Sequence, residues 1–140
     1  MVHNDEPVLK LSETESWQLL GESSFGRLAV SAAGEIDIFP INYYADGSTI
    51  LMRTAPGTKL VEMTINSSVA FEVDGVGETE AWSVVVKGSA RWLDTRAEID
   101  EADRQPLTSW IPTLKYVYVR ITPTEVNGRR FHLGDEPDRN

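Results

Sequence analysis

Glu35-Ile36-Asp37-Ile38-Phe39-Pro40-Ile41-Asn42-Tyr43-Tyr44-Ala45-Asp46-Gly47-Ser48-Thr49-Ile50-Leu51-Met52-Arg53 is the stretch that sets the fold class. Glu35 to Tyr44 alternates polar and apolar residues in its first half, the period of a half-buried strand. Asp46-Gly47 is a hairpin turn signal, and Thr49 to Arg53 is the returning strand. Pro40 sits in the middle of the first strand and cannot donate to a ladder. It therefore marks an edge, a bulge or a break where something else approaches the backbone.

The same period recurs on both sides of this hairpin. Gly26 to Val30 reads as a strand, with a turn at Ala32-Ala33-Gly34. Ser68 to Val73, Trp82 to Leu93 and Tyr116 to Ile121 are further strands, and Asn127-Gly128 predicts a turn into Arg129 to Leu133. Helical signals are short. Ser12 with Glu15 forms a capping box, Gly21 supplies a left-handed stop, and Trp17 and Leu20 share one face between them. Lys59 to Asn66 has helical spacing, and Thr95 to Asp103 reads as a small acidic helix. Six or seven strands with hairpin turns predict an all-β fold with short helices, an antiparallel barrel rather than a doubly wound sheet. A barrel with gaps needs its open edges covered, which predicts a homodimer.

The chain has 140 residues, which corresponds to a single domain, 1–140, with flexible ends at 1–10 and 134–140. Its net charge of −9 opposes binding to nucleic acids and to anionic membranes. No apolar run approaches the ~18 residues of a membrane span. The polar, acidic N-terminus lacks the order of a signal peptide, so a cytoplasmic location is the default. Cysteine is absent, which removes thiolate chemistry and zinc sites that need sulfur. The two histidines, His3 and His132, lie far apart, and no loop has metal-ligand spacing, so no metal is expected. There is no strained G-x-S-x-G serine turn. Glu78 and Glu80 read as a solvated acidic loop rather than a catalytic pair.

Between Leu28 and Val86 the only cations are Arg53 and Lys59, and they flank one loop, Arg53-Thr54-Ala55-Pro56-Gly57-Thr58-Lys59. A strand ends there, a tight turn follows, and a helix begins with Thr58 placed to cap it. Free amides and partial positive charge at a helix start favour an anion. Arg53 offers a planar fork, Lys59 a point charge and Thr54 a hydroxyl, a set suited to phosphate. The alternative is that the two cations pair with Glu62 or Asp46. The loop lacks a Walker A ending, so nucleoside triphosphate hydrolysis is not implied.

Trp82-Ser83-Val84-Val85-Val86-Lys87-Gly88 is apolar on both faces over several residues, as in a barrel core or a subunit contact. Trp82 and Trp92 read as core residues. Trp110, before Ile111-Pro112 in a loop, is placed to cover a flat ligand or to plug one end of the barrel.

Taken in order, these pieces resemble the pyridoxamine 5′-phosphate oxidase-like flavin-binding split-barrel proteins, nearest to the short actinobacterial and nitroimidazole-reductase-like members. The residues carrying the likeness are Gly26-Arg27-Leu28-Ala29, Ile38 to Tyr43, Arg53 to Leu60, Val69 to Val73, Trp82 to Gly88 and Asn127 to Arg130. The resemblance implies a six-stranded split barrel that dimerises, with cofactor at the subunit interface. It implies that Pro40, Ile41 and Asn42 line the isoalloxazine edge, and that Arg53, Thr54, Thr58 and Lys59 hold the FMN phosphate. Ser83, with Trp82 near it, would approach from the partner subunit.

The expected function is an FMN-dependent oxidoreductase acting on a nitroaromatic or quinone-like small molecule, with Tyr43 or Trp110 as substrate walls and no catalytic residue singled out. The chain lacks the extra C-terminal basic and aromatic residues of the full oxidases, which argues against turnover of a vitamin B6 phosphate. The alternatives are a reductase using a deazaflavin (coenzyme F-420) on the same fold, and a non-catalytic flavin or ligand carrier.

Overall fold

The computed structural model describes residues 7–107 and 116–135. In chain order these form β1 (Val8–Lys10), α1 (Glu13–Glu22), β2 (Phe25–Ala32), β3 (Glu35–Ala45), β4 (Ile50–Thr54), α2 (Thr58–Ile65), β5 (Ser68–Val76), β6 (Glu80–Trp92), α3 (Arg96–Asp103) and β7 (Val117–His132). The sheet runs β1-β7-β4-β3-β2-β5-β6, and β6 pairs again with β7. That second pairing closes β2 to β7 into a six-stranded antiparallel barrel, with β1 added beside the end of β7. No helix among the described residues is long and apolar enough to cross a membrane.

The barrel is split between β3 and β4. Along β2, eight residues pair from Phe25↔Asn42 to Ala32↔Glu35. Along β4, only Tyr43, Tyr44 and Ala45 find partners. Beyond Tyr43 the two strands diverge, and Pro40 lies in the stretch that β4 does not pair. An imide nitrogen costs nothing where no partner strand asks for a donor. The edge reading of Pro40 and the opening in the barrel are thus one feature.

Turn chemistry follows the sequence at both hairpins. Ala33 and Gly34 have positive φ of 52° and 83°, the backbone of a type I′ turn. Asp46 Oδ1 accepts from the backbone N–H of Ser48 and Thr49, at 2.9 and 2.6 Å, around Gly47. The capping box forms at α1: Ser12 Oγ accepts from the Glu15 N–H, and the Glu15 carboxylate accepts from the Ser12 N–H. Leu20 of α1 is fully buried with Trp17 packed beside it. The Tyr43 hydroxyl donates to the Leu20 carbonyl at 2.6 Å, fastening α1 across the barrel end. Leu28, Val30, Met52, Phe71, Val84, Val86 and Ile121 fill the interior. A smaller cluster of Leu51, Leu93, Ala102 and Tyr118 packs under α3.

Five expectations are corrected. Residues 8–10 form β1 against Arg129 to Phe131 rather than a flexible end. Gly21 lies inside α1, which ends at an extended Ser23 and not at a left-handed glycine. Asn127-Gly128 is not a turn: β7 runs unbroken through it. Gly128 is needed there for closeness, since a Cβ on it would overlap the Ser16 side chain of α1. The alternation of β3 is real but its phase is inverted. Ile36 and Ile38 point outward, 73% and 66% exposed, while Asp37 is half-buried. Trp92 is 41% exposed and not a core residue, whereas Trp82 does pack on the core.

Candidate functional site

At the β4–α2 corner Lys59 of α2 reaches back to Thr54 of β4. β4 ends in Arg53 and Thr54, and α2 starts four residues after Thr54. Lys59 Nζ donates to Thr54 Oγ1 at 3.1 Å and stands 5.3 Å from the centre of the Phe39 ring. The Arg53 guanidinium lies over the Tyr116 ring, 4.5 Å from its centre, while Arg53 Nε is buried with no hydrogen-bond partner among the described residues. Aromatic faces hold both cations without neutralising them.

Neither cation takes the carboxylates that might have claimed it. Asp46 caps its own turn and meets Arg120 at 3.7 Å. Glu62 faces Asp37 and Glu35 instead, and burial followed by the Asp37 carboxylate holds its pKa above the usual range. Its buried Oε2 has no donor, so a proton on Glu62 lets it donate to Asp37. Among the described residues, Arg53 and Lys59 make no ion pair. Burial pushes the Lys59 pKa below the ordinary lysine value.

Thr58 is the first residue of α2 and does not cap it. Gly57 occupies the cap position, no side chain bonds the first turn, and that turn contains no acidic residue. The positive end of α2 is therefore left without a competing anion of its own.

Across the split, Pro40 is exposed, Asn42 half-buried and Ile41 buried, and Phe39 brings β3 up to Lys59. Tyr43 is 2% exposed, with its ring edge-on to Phe71, so the structure puts it in the core instead of on a pocket wall. Trp110 lies outside the described residues. Trp82 and Ser83 sit at the far end of β6, opposite Arg130 and Arg129 of β7, whereas Arg53 pairs with Tyr118 at the start of β7. The separation is about 35–40 Å measured along the strand. One chain therefore does not bring Trp82 and Ser83 to the cation corner.

Phe39, Tyr116 and the Glu62–Asp37 contact were not singled out from the sequence. Phe39 had a signal in its place beside Pro40. Tyr116 had none, because only the β4–β7 register puts it near Arg53.

Residues 12–130 match the pyridoxamine 5′-phosphate oxidase family. The chain belongs to that family. Within it, the chain is 47% identical to a candidate pyridoxamine 5′-phosphate oxidase from Corynebacterium glutamicum, with a TM-score of 0.88 over 96% of this chain and 100% of that one. It is 41% identical to an FAD-binding protein from Mycobacterium smegmatis, with a TM-score of 0.79 over 90% of this chain and 100% of the other. A third structure, an FAD-binding protein from Mesorhizobium loti, is 27% identical, with a TM-score of 0.78 over 88% and 97% of the two chains. Family membership and the split barrel thus agree with the reading of the sequence, and flavin binders stand among the structural relatives.

Proposed function

We propose that this chain is a flavin-dependent oxidoreductase that holds the flavin 5′-phosphate at the β4–α2 corner. The observation that carries the reading is a pair of cations, Arg53 and Lys59, without an ion pair among the described residues of a protein of net charge −9, with Arg53 Nε buried and no hydrogen-bond partner for it among those residues. FMN, or the FMN half of FAD named for two relatives, supplies the anion this set fits. Arg53 and Lys59 would grip phosphate oxygens, with the Thr54 hydroxyl and the first amides of α2 beside them. Pro40 to Asn42 would line the ring edge. A bound flavin supplies hydride transfer, so the protein's task is orientation and closure. A nitroaromatic or quinone-like compound is the proposed substrate class.

A second copy is part of this proposal. Ile36 and Ile38 turn outward beside Ala29 and Ala70, next to a groove of about 390 Å³. An exposed apolar face on a sheet is a surface that pairs. A partner would also return Trp82 and Ser83 to the cofactor, which a single chain keeps away from it.

The test is reconstitution. Purified protein supplied with FMN should acquire a flavin absorbance spectrum, sediment as a dimer and pass electrons from a reduced nicotinamide to a quinone. A folded protein that takes up no flavin, or that takes up only deazaflavin, would remove the FMN reading.

Lys59 gives the binding a pH signature. A phosphate beside it raises a pKa that burial has lowered. Affinity for FMN is then full below the Lys59 pKa of the free protein, falls as pH rises from there through the higher pKa of the complex, and levels beyond. Titration calorimetry above pH 7, where the phosphate monoester is already ionised, isolates this effect. A profile that is flat throughout would show that Lys59 does not contact the phosphate.

A further inference from the structure

The two faces of β4 lead to different places. Ile50 and Met52 enter the barrel core, while Leu51 and Arg53 share the opposite face. Leu51 is covered there in the cluster with Leu93, Ala102 and Tyr118 that packs under α3. Arg53 comes next along that face, at the register position of Tyr118. Its guanidinium leans diagonally over Tyr116, two residues earlier in the chain, as long side chains on paired strands can.

From Arg53 a line of contacts runs to the end of α3. The Tyr116 ring stands edge-on to Tyr118, with centres 5.5 Å apart and planes at 78°. Tyr118 is buried, and its hydroxyl donates to Asp103 Oδ1 at 2.6 Å. Burial, and then the Asp103 carboxylate, push the Tyr118 pKa above the tyrosine range, so the hydroxyl keeps its proton and stays a donor. Asp103 is the last residue of α3, whose final turn holds no basic residue. A carboxylate in that position works against the helix dipole. Its place is explained by the tyrosine it receives and not by the helix. The start of α3 is fastened too, since Thr95 caps the first turn and Glu98 takes Arg91 of β6 at 2.5 Å.

Stacking suits an arginine that must bind an anion. A carboxylate partner would occupy the N–H donors of the guanidinium, whereas a ring takes only its flat side and leaves the donors along its edges unspent. Stacking also fixes beforehand a long side chain whose freedom would otherwise be lost on binding. We propose that Tyr116 and Tyr118, anchored by Asp103, are positioning residues that hold the Arg53 fork ready for the flavin phosphate. α3 thereby governs the part of the affinity that the phosphate contributes. The proposal rests on the flavin reading above and adds the support behind its arginine.

Fluorescence titration of the full-length apoprotein with FMN and with riboflavin, the same ring without the phosphate, tests it. The wild type is expected to prefer FMN. Tyr116→Leu should cut that preference about fivefold, the value of a cation–π contact at an exposed site. Tyr116→Phe keeps the ring face and should keep most of the preference. Tyr118→Phe removes only the bond to Asp103 and should lower the preference by a smaller factor, whereas Asp103→Asn still accepts from the hydroxyl and should retain it. An unchanged preference in Tyr116→Leu, or in Tyr118→Phe, would overturn the positioning role. So would equal losses of affinity for FMN and riboflavin, the mark of a merely structural residue. A folded wild type that binds neither flavin, or both alike, would instead overturn the phosphate reading itself.

Discussion

Replacing Arg53 and Lys59 together with alanine is expected to weaken flavin binding by about 3–6 kcal/mol, because each charge-assisted contact contributes ~1.5–3 kcal/mol. That is a loss of two to four orders of magnitude in affinity, read by titration with FMN. The size follows from the two cations being unshared. A cation already neutralised by a carboxylate would have spent part of its field, and among the described residues neither of these is. The stability of the apoprotein should move the other way or not at all. Burial disfavours the charged form of Lys59, so deleting that side chain removes an unfavourable charge along with its bond to Thr54. An affinity loss with an undiminished melting temperature separates a binding corner from a structural one. Unchanged affinity in a folded double variant would refute the phosphate assignment. Arg53→Lys is the finer probe: it keeps the charge and loses the fork and the stacking on Tyr116, so it should fall between wild type and alanine.

The corner was legible in the sequence because every part of it is local. Arg53, Thr54 and Lys59 lie within one loop, and the only distant fact required was the scarcity of other cations around them. Strand periods and hairpin turns are equally local, which is why β2, β3, β4 and β6 could be read directly. What failed was whatever depended on which face meets which neighbour. The alternation of Ile36 and Ile38 with Glu35 and Asp37 announces a strand but not which of its faces is inside. Tyr43 settles the phase, because its ring is core and the odd-numbered residues follow it inward. Asn127-Gly128 carries the strongest short-range turn signal in the chain. It is overridden because Gly128 makes room for Ser16, a contact made across more than a hundred residues. Trp92 was misplaced for a related reason. Its place at the very end of a barrel strand leaves it at an opening that only the packing of α2 defines.

Phe71→Ala is expected to cost about 3–5 kcal/mol of stability, the range for removing a fully buried aromatic ring. Against a total of ~5–15 kcal/mol this is a large fraction, and the melting midpoint should drop by on the order of 10 °C or more. The ring touches Tyr43 edge-on at 4.8 Å, and it lies so close to Gly26 that a Cβ there would come within 2.7 Å of it. Gly26→Ala cannot refill the space, since the same Cβ would also stand 2.8 Å from the Glu72 carbonyl, which does not leave with the ring. The comparison that gives the result its meaning is Glu72→Ala, one residue along β5. Its side chain meets Arg27 on the outer face of the barrel at 3.2 Å, and exposed pairs of this kind contribute ~0–1 kcal/mol. A one-residue slip of β5 against β2 would turn every side chain of the strand to the opposite face and exchange the two effects. Thermal denaturation of both variants therefore tests the register that holds Phe71 against Tyr43. That register in turn fixes where β3 leaves β4 and opens the barrel at Pro40. If Glu72→Ala proved the more damaging of the two, the split would lie elsewhere.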